Sequence, residues 1–180
     1  MLKVKKTDNP IAIRSQKLIC ESFLRLMYHK PYDKITITEI CKGANLVRET
    51  FYRNFSSKEA IIKHILDHKF NELRKNHDSK SEISDFFIHY FSYWKNNKDF
   101  LNYLIDNHLF SIMINKTIEQ IYIRVDAEIE GKETEKTKHY IASIYSGAIN
   151  NLLFSWVKND FEESPEEMSR ILKINSAVFK

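Results

Sequence analysis

Glycine and proline are scarce in this chain. Its 180 residues include three Gly and three Pro, about 3% of the total against a usual share of roughly 12%. Because these two residues interrupt helices and shape turns, their scarcity predicts an all-α protein. It also excludes a glycine-rich phosphate-binding loop, since Gly43, Gly131 and Gly147 lie far apart and such a loop needs several glycines together.

Hydrophobic residues form only short runs. The longest uninterrupted apolar run is three residues, for example 152–154, whereas a helix that spans a bilayer needs roughly 18. Residues 1–10 are charged and precede an amphipathic segment, which does not resemble the apolar core of a secretory signal. Cys20 and Cys41 fall within helical patterns, as expected of reduced thiols. We therefore expect a cytoplasmic protein that does not associate with membranes.

Positive charge is concentrated in the first part of the chain. Residues 1–75 contain 16 Lys and Arg against 8 Asp and Glu, a net charge of +8, whereas residues 76–180 contain 12 against 16, a net charge of −4. A basic segment joined to a mildly acidic one indicates that the N-terminal part binds a polyanion. The alternative is that these charges only keep a surface hydrated.

Capping signals define the helices of the N-terminal part. Apolar residues at helical spacing predict a first helix over 13–29. The sequence Thr-Ile-Thr-Glu at 36–39 has the form of a capping box and predicts a second helix, which Gly43 ends. Asn45 suits the left-handed backbone of a sharp turn, and a third helix is predicted from about Val47.

Further helices follow to the end of the chain. Ser-Ser-Lys-Glu at 56–59 is a second capping box and opens a long fourth helix. Residues 76–84 are polar and predict a joint, and residues 131–136 predict a loop. Helical patterns are present over 83–96, 98–113, 114–129, 135–159 and 165–178.

The third predicted helix has one apolar face and one polar face. Steps of 100° per residue place Val47, Phe51 and Phe55 on the inner face. A short capped helix, a turn of about three residues and a helix with a polar outer face are the parts of a helix-turn-helix, whose second helix enters the major groove of DNA. We therefore predict this motif at about 36–55. The outward donors are Arg48, Thr50, Tyr52 and Arg53.

These residues resemble a known family. The sequence Ile-Thr-Ile-Thr-Glu-Ile-Cys at 35–41 and the pattern Thr-Phe-Tyr-Arg-x-Phe-x-x-Lys at 50–58 are similar to the DNA-binding domain of TetR-family transcriptional repressors. The resemblance covers about residues 10–70. It implies a three-helix DNA-binding domain at 1–70 and a helical bundle at 71–180 for effector binding and dimerisation. It also implies a homodimer that binds a palindromic operator in double-stranded DNA and is released by a small-molecule effector.

Position by position, the resemblance implies a set of DNA contacts. Thr36 and Tyr52 would bind phosphates, and Lys58 would approach the DNA backbone as a point charge. Arg48 and Thr50 would face bases and backbone. The full set of expected contacts is Thr36, Arg48, Glu49, Thr50, Tyr52, Arg53 and Lys58.

The sequence departs from the family pattern at the recognition helix. Asn45 replaces the usual turn glycine and tolerates the same backbone conformation. Val47 stands where a polar capping residue is frequent, so the third helix is expected to lack a side-chain cap. Glu49 stands where a small residue is common; its carboxylate can accept from a cytosine amino group and so affect sequence choice.

The C-terminal part is rich in aromatic residues. In TetR-like proteins this region encloses an inducer cavity, and polar-tipped aromatic side chains are the better candidates for contacting a ligand. The alternative is that these side chains only fill a helical core. The expected effector contacts are Tyr90, Trp94, Tyr103, His108 and Tyr145.

The helix predicted over 135–159 resembles the family's penultimate helix, which packs across the dimer axis. Small residues let two backbones approach, and a dimer would present two recognition helices about 34 Å apart. The alternative is that Gly147 admits a neighbouring side chain within the monomer. The expected dimer contacts are Ser143, Gly147, Asn151 and Phe154.

Enzymatic and metal-binding patterns are weak. Ser-x-x-Lys occurs at 92–95 and 155–158 about as often as chance predicts. His64 and His68 lie one helical turn apart, but no third ligand stands at useful spacing. We therefore expect no enzyme activity, no metal and no cofactor. The alternative function is an all-helical small-molecule binding protein, or an enzyme, that does not bind DNA; a helical adaptor for another protein is a third class.

Overall fold

The computed structural model describes residues 9–75, 83–129 and 131–178. These residues form nine α-helices and a short 3-10 helix at Tyr32–Lys34, with no β-strand among them, so the all-α prediction is confirmed. The helices are α1 (Pro10–Met27), α2 (Ile37–Ala44), α3 (Arg48–Asn54), α4 (Lys58–Lys75), α5 (Ile83–Asn96), α6 (Lys98–Asp106), α7 (Phe110–Glu128), α8 (Glu135–Lys158) and α9 (Pro165–Val178).

The chain divides into two compact units. The first ends at His68 and the second begins at Lys69, so α4 contributes residues to both. The joint predicted over 76–84 falls mainly on residues 76–82, which lie outside the described residues.

The first unit is built from α1, α2, α3 and the first half of α4. Pro10 suits the first position of α1 because its φ is already helical, and the Asn9 side chain accepts a hydrogen bond from the Ile11 N–H at 3.0 Å. α1 packs against both α2 and α3. The buried core includes Ile19, Phe23, Ile40, Phe51, Phe55, Ile61 and Ile62.

Gly43 allows α1 and α2 to approach closely. The hydroxyl of Ser22 on α1 donates a buried hydrogen bond to the carbonyl oxygen of Ile40 at 2.9 Å. A Cβ at residue 43 would lie 2.3 Å from the Ser22 Oγ atom, which is shorter than any normal contact. The absence of a side chain at Gly43 therefore makes room for this hydrogen bond.

In the second unit, α7 packs along α8 and α5 packs along α9. Phe91 of α5 contacts Trp156 of α8 edge to face, with ring centroids 5.5 Å apart. The buried Lys138 of α8 donates to Asp126 of α7 at 2.6 Å and to Glu135 at 3.0 Å. These two carboxylates compensate a charge that would otherwise be costly to bury.

The helix boundaries predicted near residue 113 are wrong. The structure ends α6 at Asp106 and begins α7 at Phe110. His108 has a left-handed backbone with φ 58°, and the Leu109 N–H donates to the Leu104 carbonyl at 2.7 Å, which is a typical helix ending. The sequence has no glycine there, so the usual signal for such an ending is missing.

Candidate nucleic-acid interface

Thr36 begins α2 in the predicted capping box, which is confirmed. Its Oγ1 atom accepts from the Glu39 N–H at 3.2 Å, and the Glu39 carboxylate accepts from the Thr36 N–H at 3.0 Å. The Lys30 ammonium also donates to Glu39. The hydrogen bond from Lys30, followed by those from Thr36, lowers the pKa of the Glu39 carboxyl to about 2. These bonds fix the exposed Thr36 at the start of the helix.

The turn between α2 and α3 depends on Asn45. This residue has φ 54° and ψ 45°, the left-handed conformation predicted for it. The next N–H, from Leu46, donates to the Cys41 carbonyl at 2.9 Å and closes the turn. Three residues therefore separate the two helices, as a helix-turn-helix requires.

Phe51 and Phe55 anchor α3, whereas the predicted burial of Val47 is wrong. Both phenylalanines are almost fully buried, but Val47 is 66% exposed. Val47 is the N-cap residue of α3, with extended backbone angles of φ −81° and ψ 153°. A helical projection does not apply to a residue whose backbone is not helical, and its side chain therefore points away from the core.

The outer face of α3 carries two pairs of side chains one helical turn apart. An Arg48 Nη2 atom lies 3.4 Å from the Tyr52 hydroxyl oxygen, and an Arg53 Nη2 atom lies 2.6 Å from a Glu49 carboxylate oxygen. All four side chains are exposed. Exposed pairs of this kind are weak, so each arginine can exchange its partner for a phosphate or a base. Thr50 lies beside them and is half-buried.

Lys58 lies at the start of α4 and is bound to the segment before α2. Its ammonium donates to the carbonyl oxygens of Tyr32 at 2.8 Å and Ile35 at 2.7 Å, and lies 4.4 Å from the Tyr32 ring centroid. These bonds use two of the three ammonium donors. Lys58 thus fixes the approach to Thr36, a role that sequence reasoning missed because its partners are distant in the chain.

The structure brings together some of the expected effector contacts. Tyr90 and Trp94 on α5 are buried with ring centroids 6.3 Å apart, and Tyr103 on α6 is also buried. His108 and Tyr145 are exposed instead. His108 lies in the connection between α6 and α7, and Tyr145 lies on an outward face of α8.

A buried polar network crosses the second unit beside Tyr90. The Thr117 hydroxyl of α7 donates to the Met113 carbonyl at 2.9 Å and lies 3.3 Å from the Asn150 Oδ1 atom of α8. The Asn150 amide donates to the Ser146 carbonyl and hydroxyl oxygens, each at 2.9 Å. Sequence reasoning missed this network, because serine, threonine and asparagine are usually exposed.

Two donors beside this network are unsatisfied. The Tyr90 hydroxyl and the Trp94 indole N–H are buried without a hydrogen-bond partner among the described residues. Burial raises the pKa of Tyr90, and the nearby Thr117 and Trp94 offset part of that rise. Buried donors normally bond to protein, water or ligand, so these two are exceptions within the described core.

The expected dimer contacts share one outward face of α8. Ser143, Asn151 and Phe154 are exposed, and Gly147 is half-buried. A Cβ at residue 147 would meet nothing within 4 Å, so no neighbouring side chain of the monomer occupies that space in the described part of the chain. The same face also exposes Tyr140 and Ile144, which sequence reasoning omitted.

The described residues contain neither a cluster of metal-ligating side chains nor a membrane-spanning helix. The ring centroids of His64 and His68 lie 4.7 Å apart. No group of three or more metal-ligating side chains is found among the described residues. None of the described helices is long and apolar enough to cross a bilayer.

A capped helix, a left-handed turn and a short helix with an exposed polar face define a helix-turn-helix DNA-binding protein. Residues 19–65 match the family described as "Bacterial regulatory proteins, tetR family", and residues 81–176 match "Transcriptional regulator C-terminal region". The second match covers more than half of the chain. The chain belongs to the TetR family of DNA-binding transcriptional regulators.

Related proteins agree with this assignment. The chain is 26% identical over 169 residues to the HTH-type dhaKLM operon transcriptional activator DhaS of Lactococcus lactis, covering 93% of this chain and 76% of that protein. A solved structure of a dihydroxyacetone kinase operon activator DhaS has a TM-score of 0.61 at 20% identity, covering 92% and 95% of the two chains. A TetR regulator from Streptococcus agalactiae has a TM-score of 0.64 at 18% identity, covering 90% and 93%.

Proposed function

We propose that this chain is a dimeric repressor that binds a palindromic operator and is released by a small-molecule effector. The observation that carries operator binding is the exposed outer face of α3, with Arg48 and Arg53 held only by weak partners. A second candidate, activation of transcription, is favoured by the description of the DhaS relative as an activator. Both functions need the same DNA contacts.

The proposed DNA surface divides by task. Thr36, Tyr52 and Lys58 position the protein on phosphates, with Lys58 using its remaining donor. Arg48 and Thr50 meet bases and backbone at the start of α3. Glu49 and Arg53 act as a pair: if Arg53 moves to a phosphate, the Glu49 carboxylate is released and can accept from a cytosine amino group.

Selection from a pool of random duplexes tests operator binding. A palindrome should be enriched, and the affinity should fall steeply as salt rises, because each phosphate contact releases counterions. Arg48→Ala should weaken binding about tenfold or more, and Tyr52→Phe should weaken it less. Lys132→Ala removes one exposed charge from the second unit and serves as the control. Unchanged affinity in Arg48→Ala, with helicity intact, would contradict the proposed surface.

The dimer is proposed to form through the outward face of α8. A second copy of the chain could approach closely at Gly147, where the space beyond the backbone is open, and would cover the exposed Phe154. Gly147→Leu should therefore give a monomer in light scattering at micromolar concentration. Ala127→Leu introduces the same side chain at an exposed position of α7 and should remain a dimer. A wild-type monomer at this concentration would refute the proposal.

We propose that the effector binds at the unsatisfied donors of Tyr90 and Trp94, beside the polar network of Thr117, Asn150 and Ser146. Tyr103 is another buried aromatic residue of the same unit. Because the network contains no ionised side chain, an uncharged molecule with hydrogen-bond acceptors fits best. Thermal shifts with panels of neutral and charged metabolites test this. Stabilisation by a neutral compound should be lost in Tyr90→Phe and kept in Tyr28→Phe, whose hydroxyl lies in the first unit. Stabilisation by charged compounds alone would contradict the proposal.

A further inference from the structure

Val47 reduces the stability that α3 could have. As the N-cap residue it makes no side-chain hydrogen bond to the helix, whereas Ser, Thr, Asp or Asn would satisfy a free backbone N–H there. Its isopropyl group is also largely exposed, so the side chain adds little to the core. A residue that breaks a local rule without a gain to the fold points to a functional role.

The position of Val47 indicates what that role is. Its carbonyl accepts from the Thr50 N–H at 3.0 Å, so it lies at the same end of α3 as Arg48 and Thr50. In a helix-turn-helix, this end of the second helix contacts base edges. The 5-methyl group of thymine is an apolar feature of the major groove, and apolar side chains recognise it.

We propose that Val47 is a specificity-determining residue that contacts the 5-methyl group of one thymine in each half-site. The inference rests on the proposed operator binding and adds a contact outside the expected set. Covering one methyl group changes affinity by about fourfold, so two half-sites together give about 15-fold. The residue would thus favour thymine at one symmetric pair of operator positions.

Deoxyuridine provides the test, because it differs from thymidine only in lacking the methyl group. In the selected operator, each symmetric pair of thymines is replaced in turn, and the affinity of the full-length protein is measured by fluorescence anisotropy at fixed salt. One pair should weaken wild-type binding by about 15-fold. Val47→Ala should lose a similar factor on the thymine operator and nothing further on the matching deoxyuridine operator.

Two further variants separate recognition from folding. Val47→Ser restores a capping side chain, so its melting temperature should rise while its sensitivity to deoxyuridine disappears. Ile13→Ala, which trims another exposed apolar side chain of the first unit, should keep the wild-type sensitivity. The inference would be overturned, without affecting the proposed operator binding, by either of two results. One is a wild-type affinity that no deoxyuridine replacement changes, and the other is a Val47→Ala variant that remains sensitive to the replacement. Failure to enrich any duplex would overturn the proposed operator binding together with it.

Discussion

Replacing Gly43 by Ala should destabilise the first unit, although the same change favours most helices by about 1 kcal/mol. The new Cβ would lie 2.3 Å from the Ser22 Oγ atom, which donates to the Ile40 carbonyl. Ser22 is only 1% exposed, so its displaced hydroxyl cannot reach water. Overpacking costs about 1–3 kcal/mol and an unmade buried hydrogen bond about the same. After subtraction of the helix gain, we expect a net loss of about 1–5 kcal/mol.

Chemical denaturation with two optical probes measures this loss. Both tryptophans of the chain, Trp94 and Trp156, lie in the second unit, whereas far-ultraviolet circular dichroism reports helices of both units. Gly43→Ala should therefore shift the dichroism transition more than the tryptophan fluorescence transition. An equal shift of both would indicate that the second unit is affected as well.

A double-mutant cycle identifies the cause. Ser22→Ala removes the hydroxyl that the new Cβ would displace, so Gly43→Ala should cost less in that background. We expect a coupling free energy of about 1–3 kcal/mol between the two positions. A Gly43→Ala variant as stable as the wild type, or a cycle without coupling, would refute the reasoning.

Three further predictions follow from charged and buried groups. The folded-state pKa of Glu39, about 2, lies below its ordinary value, so the ionised carboxylate stabilises the fold above about pH 4.5 and this contribution is lost as pH falls toward 2. Glu39→Gln should therefore reduce the dependence of unfolding free energy on pH in this range. An unchanged dependence would contradict the prediction. Burial raises the pKa of the Cys20 thiol to about 12, so native protein should react with a thiol reagent at pH 8 far more slowly than unfolded protein, and equal rates would contradict this. Lys138→Met should leave the melting temperature unchanged or higher, because water can hydrate the Asp126 and Glu135 carboxylates while the apolar part of the side chain stays buried. A large decrease in melting temperature would show that the ion pairs stabilise the unit.

The sequence predicted the helix-turn-helix because its signals are local. The capping box joins Thr36 to Glu39, three positions away. The left-handed Asn45 forms a turn of three residues between α2 and α3. Such hydrogen bonds depend on residue type and spacing alone. The projection failed at Val47 for a local reason too, since it assumed helical angles for a residue that precedes the helix.

The end of α6 was harder to predict from the sequence. His108 adopts a left-handed backbone that glycine or asparagine usually supplies, and the closing hydrogen bond from the Leu109 N–H to the Leu104 carbonyl carries no distinctive residue type. Scarcity of glycine, which correctly indicated an all-α chain, gave no indication of this break. A left-handed backbone is uncommon for any residue with a side chain, so histidine at this position gave no distinctive signal.

The sequence by itself determined the fold class, the place of the DNA-binding motif and the polar outer face of its second helix, because these depend on contacts within a few residues. Only the tertiary structure decided that Lys58 bonds the backbone before α2 and that Ser22 needs Gly43. It alone brought Thr117 and Asn150 of two helices within 3.3 Å of each other, with Thr117 near the unsatisfied Tyr90 hydroxyl of a third helix. These pairings join residues far apart in the chain, and their geometry arises when the helices pack against one another.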